Sequence, residues 1–182
     1  MKTSLVLLVL AACGSNSPSG SDAAVQAASC TSYCTTITSA CTGATLSQYG
    51  SMATCMASCN HFPVGTAGDQ SGDSLQCRAY HATAAVADPN THCVHAGPSG
   101  AGVCGTPCQG FCDLAVAECA TQYPAAGSCA TTCAGFTAGS AFNASIQSGN
   151  NLSCRIYHAT AASTDPTTHC PHIAAPSAAP CM

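Results

Sequence analysis

The 182-residue chain has no tryptophan, and aromatic and charged side chains each make up only 5% of it. Three Lys+Arg stand against seven Asp+Glu, for a net charge of −4, which excludes a basic surface that gathers phosphates and so argues against nucleic-acid binding. The low charge also excludes a charge-swollen disordered chain. No run of apolar residues approaches the roughly 20 needed to cross a bilayer. No Gly-x-Ser-x-Gly, Walker loop or His-Glu-x-x-His occurs, so the familiar hydrolase signatures are missing. Cys-x-x-Cys is absent too, which removes a thioredoxin-like site, and without Cys-x-x-Cys-His there is no covalent c-type haem. What the chain does have is cysteine, 17 of them, a density found in disulfide scaffolds.

The N-terminus is a short positive start, Met1-Lys2-Thr3, then the apolar run Ser4–Leu10, then Leu10-Ala11-Ala12-Cys13. The run is too short for a membrane span and reads as the core of a signal peptide. The ending resembles the lipobox of bacterial lipoproteins. The resemblance implies cleavage after residue 12, lipidation of Cys13, and a membrane partner reached through that lipid. Gly14 in place of Asp implies delivery to the outer membrane of the cell envelope, with the face open. Residues 13–29 then form a lipidated cysteine and a flexible tether of small polar residues, reaching ~20–25 Å on average.

Setting Cys13 aside leaves sixteen cysteines in two sets of eight. In the first, over residues 30–104, the intervening gaps are 3, 6, 13, 3, 17, 15 and 10; in the second, over 105–182, they are 3, 6, 9, 3, 20, 15 and 10. Five matching gaps mark an internal duplication. Modules of this size with so little aromatic mass need covalent staples, each contributing ~2–4 kcal/mol. Oxidation fits an exported chain. The expected fold is mainly α, small and disulfide-rich: two tandem copies of a four-disulfide module, a helical hairpin plus further helix.

Cys30, Cys34 and Cys41 share one helical face, as do Cys108, Cys112 and Cys119. Cys55/Cys59 and Cys129/Cys133 are also one turn apart. Two such helices packed antiparallel form a two-rung ladder: Cys30–Cys59 with Cys34–Cys55, and Cys108–Cys133 with Cys112–Cys129. The arrangement resembles twin Cys-x3-Cys helical hairpins, in architecture only. For the remaining cysteines we expect Cys41–Cys77 with Cys93–Cys104, and Cys119–Cys154 with Cys170–Cys181. A third helix is expected over 74–87 and 153–163, followed by a short one opened by Asp88-Pro89 and Asp165-Pro166.

The two copies diverge widely except in one block. Residues 77–93 match 154–170 at 13 of 17 positions, and His95 and His172 follow at the same distance. The block holds six of the seven histidines and both arginines beyond residue 2. A fold-back of the short helix brings His81, His92 and His95 together, and likewise His158, His169 and His172. Two uses of the block follow. The first is structural: Arg78 paired with Asp88 or with helix-end carbonyls, Tyr80 with its ring buried, and histidines bridging backbone groups, in a structural or binding module without catalysis. The alternative is a three-imidazole site for copper or zinc, one per module, with a position left for water or a partner, or haem ligation. A hydrolase or redox enzyme is a third class; it lacks a nucleophile motif.

Overall fold

The structure, a computed structural model, describes residues 26–182. The signal peptide, Cys13 and the tether as far as residue 25 lie outside the described residues. Within them, eight α-helices and no strand make two successive modules, and no helix is long and apolar enough to cross a membrane. The first module comprises α1 (Cys30–Ala40), α2 (Met52–Cys59), α3 (Leu75–Ala84) and α4 (Pro89–Ala96), closed by a 3-10 turn over Gly100–Gly102. The second repeats the order with α5 (Pro107–Glu118), α6 (Ala126–Cys133), α7 (Leu152–Ala162) and α8 (Pro166–Ile173).

The helices begin where local chemistry caps them. Ser29 and Thr106 open α1 and α5 with reciprocal capping boxes through Ser32 and Gln109. Ser51, Ser74 and Asn151 cap α2, α3 and α7. Asp88 and Asp165 cap α4 and α8, each followed by proline at the first helical position, where no hydrogen bond is lost. Only α6, entered from Ala125, lacks a side-chain cap.

The hairpin ladders are Cys30–Cys59 with Cys34–Cys55, and Cys108–Cys133 with Cys112–Cys129. The other four bridges differ from expectation. They join Cys41 to Cys93, Cys77 to Cys104, Cys119 to Cys170 and Cys154 to Cys181, not 41–77, 93–104, 119–154 and 170–181. The reason is the α3–α4 fold-back. It lays the core-facing Cys93 over the end of α1, while the left-handed turn at Gly100-Ala101-Gly102 sends Cys104 back to the start of α3. There Gly72 N–H donates to Val103 O at 2.8 Å.

Each core is small: Tyr33, Ile37 and Leu75 in one module, Phe111, Leu114, Ile156 and Ile173 in the other, with buried cystines filling the remainder. Tyr33 hydroxyl donates to Ala96 O at 2.7 Å, and Tyr123 hydroxyl reaches the equivalent carbonyl, Ile173 O, at 2.5 Å. The two tyrosines occupy different places in the repeat, so the duplication preserved the bond but not the residue.

Arg78 is fully buried. Its partner is Asp73 at 2.8 Å and its plane lies 4.0 Å over Phe62; Asp88, the expected partner, is occupied as the cap of α4. Tyr80 is not buried as expected but 40% exposed, its ring edge-on to His81.

The modules touch directly. Ala144 N–H donates to Ser47 O at 2.7 Å, the Ser58 and Ser163 hydroxyls are 2.8 Å apart, and His61 meets Glu118 at 2.6 Å. Gly110 of α5 allows the close approach: a Cβ there would sit 1.8 Å from Pro98 O.

Candidate metal centre

The six block histidines form two clusters, built identically. In the first module His81 sits in the middle of α3, one turn beyond the disulfide-anchored Cys77, so its ring starts from a fixed point. His92 and His95 lie three residues apart on α4 and flank Cys93, which the bridge to Cys41 holds. The turn at residues 85–88 folds α4 against α3, and the three ring centroids come within 5.1–6.2 Å of one another. In the second module His158, His169 and His172 have centroid separations of 4.6–5.8 Å. All six sequence-expected histidines are therefore brought together, three and three. The seventh, His61, is elsewhere.

Hydrogen bonding orients the inner ring of each trio. His81 Nε2 lies 3.1 Å from Gln70 O, and His158 Nε2 lies 3.2 Å from Gln147 O. A carbonyl only accepts, so Nε2 carries the hydrogen and a neutral ring presents a bare Nδ1 lone pair inward. His92 Nδ1 is 2.9 Å from His81 Nδ1. In the second trio His169 Nδ1 and His172 Nδ1 lie 2.8 and 3.2 Å from the same His158 Nδ1.

This inner arrangement is unbalanced without a cation. One Nδ1 lone pair accepts one good hydrogen bond, yet two nitrogens crowd it in the second module. In the first, the leftover group is visible as His95 Nδ1, buried with no hydrogen-bond partner. A proton is a poor remedy. Burial first, then the neighbouring imidazoles, pulls His158 down to about 4, against the opposing pull of the Gln147 carbonyl. Burial likewise lowers His81, His95 and His169. The inner ring and one neighbour of each trio are thus held toward the neutral, donating form. Tetrahedral coordination with metal–nitrogen bonds of ~2.0–2.1 Å places donors about 3.3 Å apart. The 2.8–3.2 Å separations between the inner Nδ1 and the neighbours it contacts need to open by only a few tenths of an ångström. One ligand atom from each histidine of a trio lies within 4.8 Å of the others, a spacing that suits a metal ion.

A second donor set shares the inner histidine: Cys77, His81 and Cys104, and in the repeat Cys154, His158 and Cys181. Their sulfurs are joined as disulfides, so they offer no thiolate. The imidazoles are the available ligands. His92, His95, His169 and His172 are only partly buried, so each trio has a buried back and an accessible front.

Residue type does not single out the orienting carbonyls of Gln70 and Gln147. Both are glutamine, seven residues before the first block cysteine, and that coincidence between the copies is the signal that was available. A backbone acceptor otherwise leaves no trace in residue type.

Comparison with known proteins adds the family. The BfoA family C-terminal domain matches residues 3–108. The chain belongs to the BfoA family. The matched span covers the whole first module, including its histidine trio, and ends at Cys108, the first cysteine of the second. No curated protein and no solved structure matches the chain.

Proposed function

We propose that this BfoA-family protein is a lipid-anchored, disulfide-stabilised protein of the bacterial cell envelope that binds copper or zinc at two three-histidine centres, one per module. The observation that carries the reading is the convergence of three imidazoles in each module, with the inner one aimed by a backbone carbonyl. Metal-ligating histidines are habitually aimed in this way. Its repetition in both copies supports it, since the flanking sequence diverged. The disulfides supply the structural staples, leaving the histidines free of that duty. Neutral imidazole suits both metals, with Cu(II) the tighter by the usual order of divalent affinities. Cys13, carrying the lipid, and the tether after it would hold the centres off the membrane surface.

The test is metal titration of the oxidised, purified protein. Two equivalents of Zn(II) or Cu(II) are expected. The double variant His92→Ala/His95→Ala should bind one, and the further pair His169→Ala/His172→Ala none. All three proteins should keep their helical circular dichroism. Failure of the parent protein to bind either metal, or two equivalents retained in the quadruple variant, would refute the reading.

A further inference from the structure

The first trio differs from the second in what lies beside it. A pocket of about 480 Å³ opens between the modules, walled by Val94 and His95 of α4, Ala101 of the turn, Ser140 and Phe142 of the loop before α7, and Ile156 of α7. Its lining is mostly apolar, and its volume is that of a small-molecule site. His95 thus belongs both to the metal centre and to the pocket wall. Its Nδ1 is sealed from the pocket, being buried. Nε2 is thus the accessible nitrogen of a ring that lines the pocket.

We infer that this pocket is a binding site for a small, neutral, mainly apolar molecule bearing one carbonyl acceptor, which takes its hydrogen bond from His95 Nε2–H, and that metal at the first centre strengthens its binding. The inference rests on the metal reading above. The size and apolar lining select the body of the ligand, and the single imidazole donor selects its polar handle. The coupling follows from the ring's two nitrogens. A metal on Nδ1 obliges the hydrogen to reside on Nε2, removing the other tautomer. It also draws electron density from the ring, and hydrogen bonds from a cationic donor are markedly stronger than neutral ones. By linkage, the ligand must tighten metal binding by the same factor. Among the pockets described, none is bounded by His172 of the second centre. One ligand per chain is therefore expected against two metals.

The probe is 6-propionyl-2-(dimethylamino)naphthalene, a neutral aromatic ketone whose emission reports both an apolar site and hydrogen bonding to its carbonyl. The full oxidised chain should bind one equivalent. Saturating Zn(II) should tighten binding about fivefold, the worth of strengthening that one hydrogen bond, and move the emission to longer wavelength. Ser140→Trp, at an exposed wall position, should abolish probe binding. His92→Ala, which breaks the first centre from outside the pocket, should abolish the zinc effect. Equal probe affinity in the parent and Ser140→Trp proteins overturns the pocket. Zinc that binds at two equivalents without altering probe affinity overturns the coupling and leaves the metal centres standing. Absence of both zinc and copper binding overturns the metal reading and the coupling together, while the metal-free probe titration still decides the pocket.

Discussion

Buried imidazoles and free ones release different numbers of protons when a metal displaces them, and the second centre gives a number. An exposed imidazole with the ordinary value near 6.5 is about 90% protonated at pH 5.5, so three would release about 2.7 protons per metal. His158 is held down to about 4 by its burial. At pH 5.5 it carries about 0.03 proton and releases almost nothing. His158 alone should therefore cut the release at this centre by about 0.9 proton, and burial of His169 pushes it lower still. The same arithmetic makes the centre about tenfold tighter at this pH than three free imidazoles, because one ligand needs no deprotonation. Calorimetric zinc titration in two buffers of different ionisation enthalpy reads the stoichiometry directly. His92→Ala/His95→Ala isolates the second centre. A release near 2.7 would show that the inner histidine is not held neutral, and the reasoning from its burial and carbonyl contact would fail.

Three further predictions concern the scaffold. Arg155 is buried without a carboxylate; it lies over Phe136 at 4.1 Å and leans on Asn150 Oδ1 at 3.0 Å, where the first module has Asp73. Asn150→Asp should therefore stabilise the protein by about 1–2 kcal/mol at pH 7, after the cost of desolvating the new carboxylate, and raise the melting temperature by a few degrees; an unchanged or lower melting point would contradict this. Asp113 is pushed up to about 7 by burial and by the neighbouring Asp73. The folded state therefore holds a proton that the unfolded state gives up near pH 4, and that stability is lost as pH rises through 7. Asp113→Asn should gain on the parent in melting temperature between pH 5 and 8, and a constant difference would argue against the shift. Ala125 stands in the extended conformation of a cap, φ −155° and ψ 149°, with no side-chain acceptor. Ala125→Asp should add about 1 kcal/mol by capping α6, read by chemical denaturation, and no gain would mean that the first turn of α6 is already satisfied.

Most of the helices were legible because their signals are local. Ser74, Asp88-Pro89 and Asp165-Pro166 mark helix starts by side-chain reach across three residues. The hairpin ladders were legible because one-turn cysteine spacing admits a natural antiparallel pairing. The remaining bridges were not, because Cys41, Cys77, Cys93 and Cys104 allow three pairings. The choice depends on where a left-handed turn at Gly100–Gly102 returns the chain. Arg78 was assigned Asp88 on proximity in sequence, whereas packing placed its guanidinium beside Asp73 and Phe62.

Residue type and spacing alone determined the duplication, the helical class, the cysteine stapling and the six histidines that belong together, since each of these is written in periods of a few residues or in the match between copies. Only the tertiary structure decided that three imidazoles meet in each module, that Gln70 and Gln147 aim the inner ring, and that His95 borders a pocket between modules. Those facts depend on ring orientation and on contacts between segments distant in the chain, which no local pattern specifies.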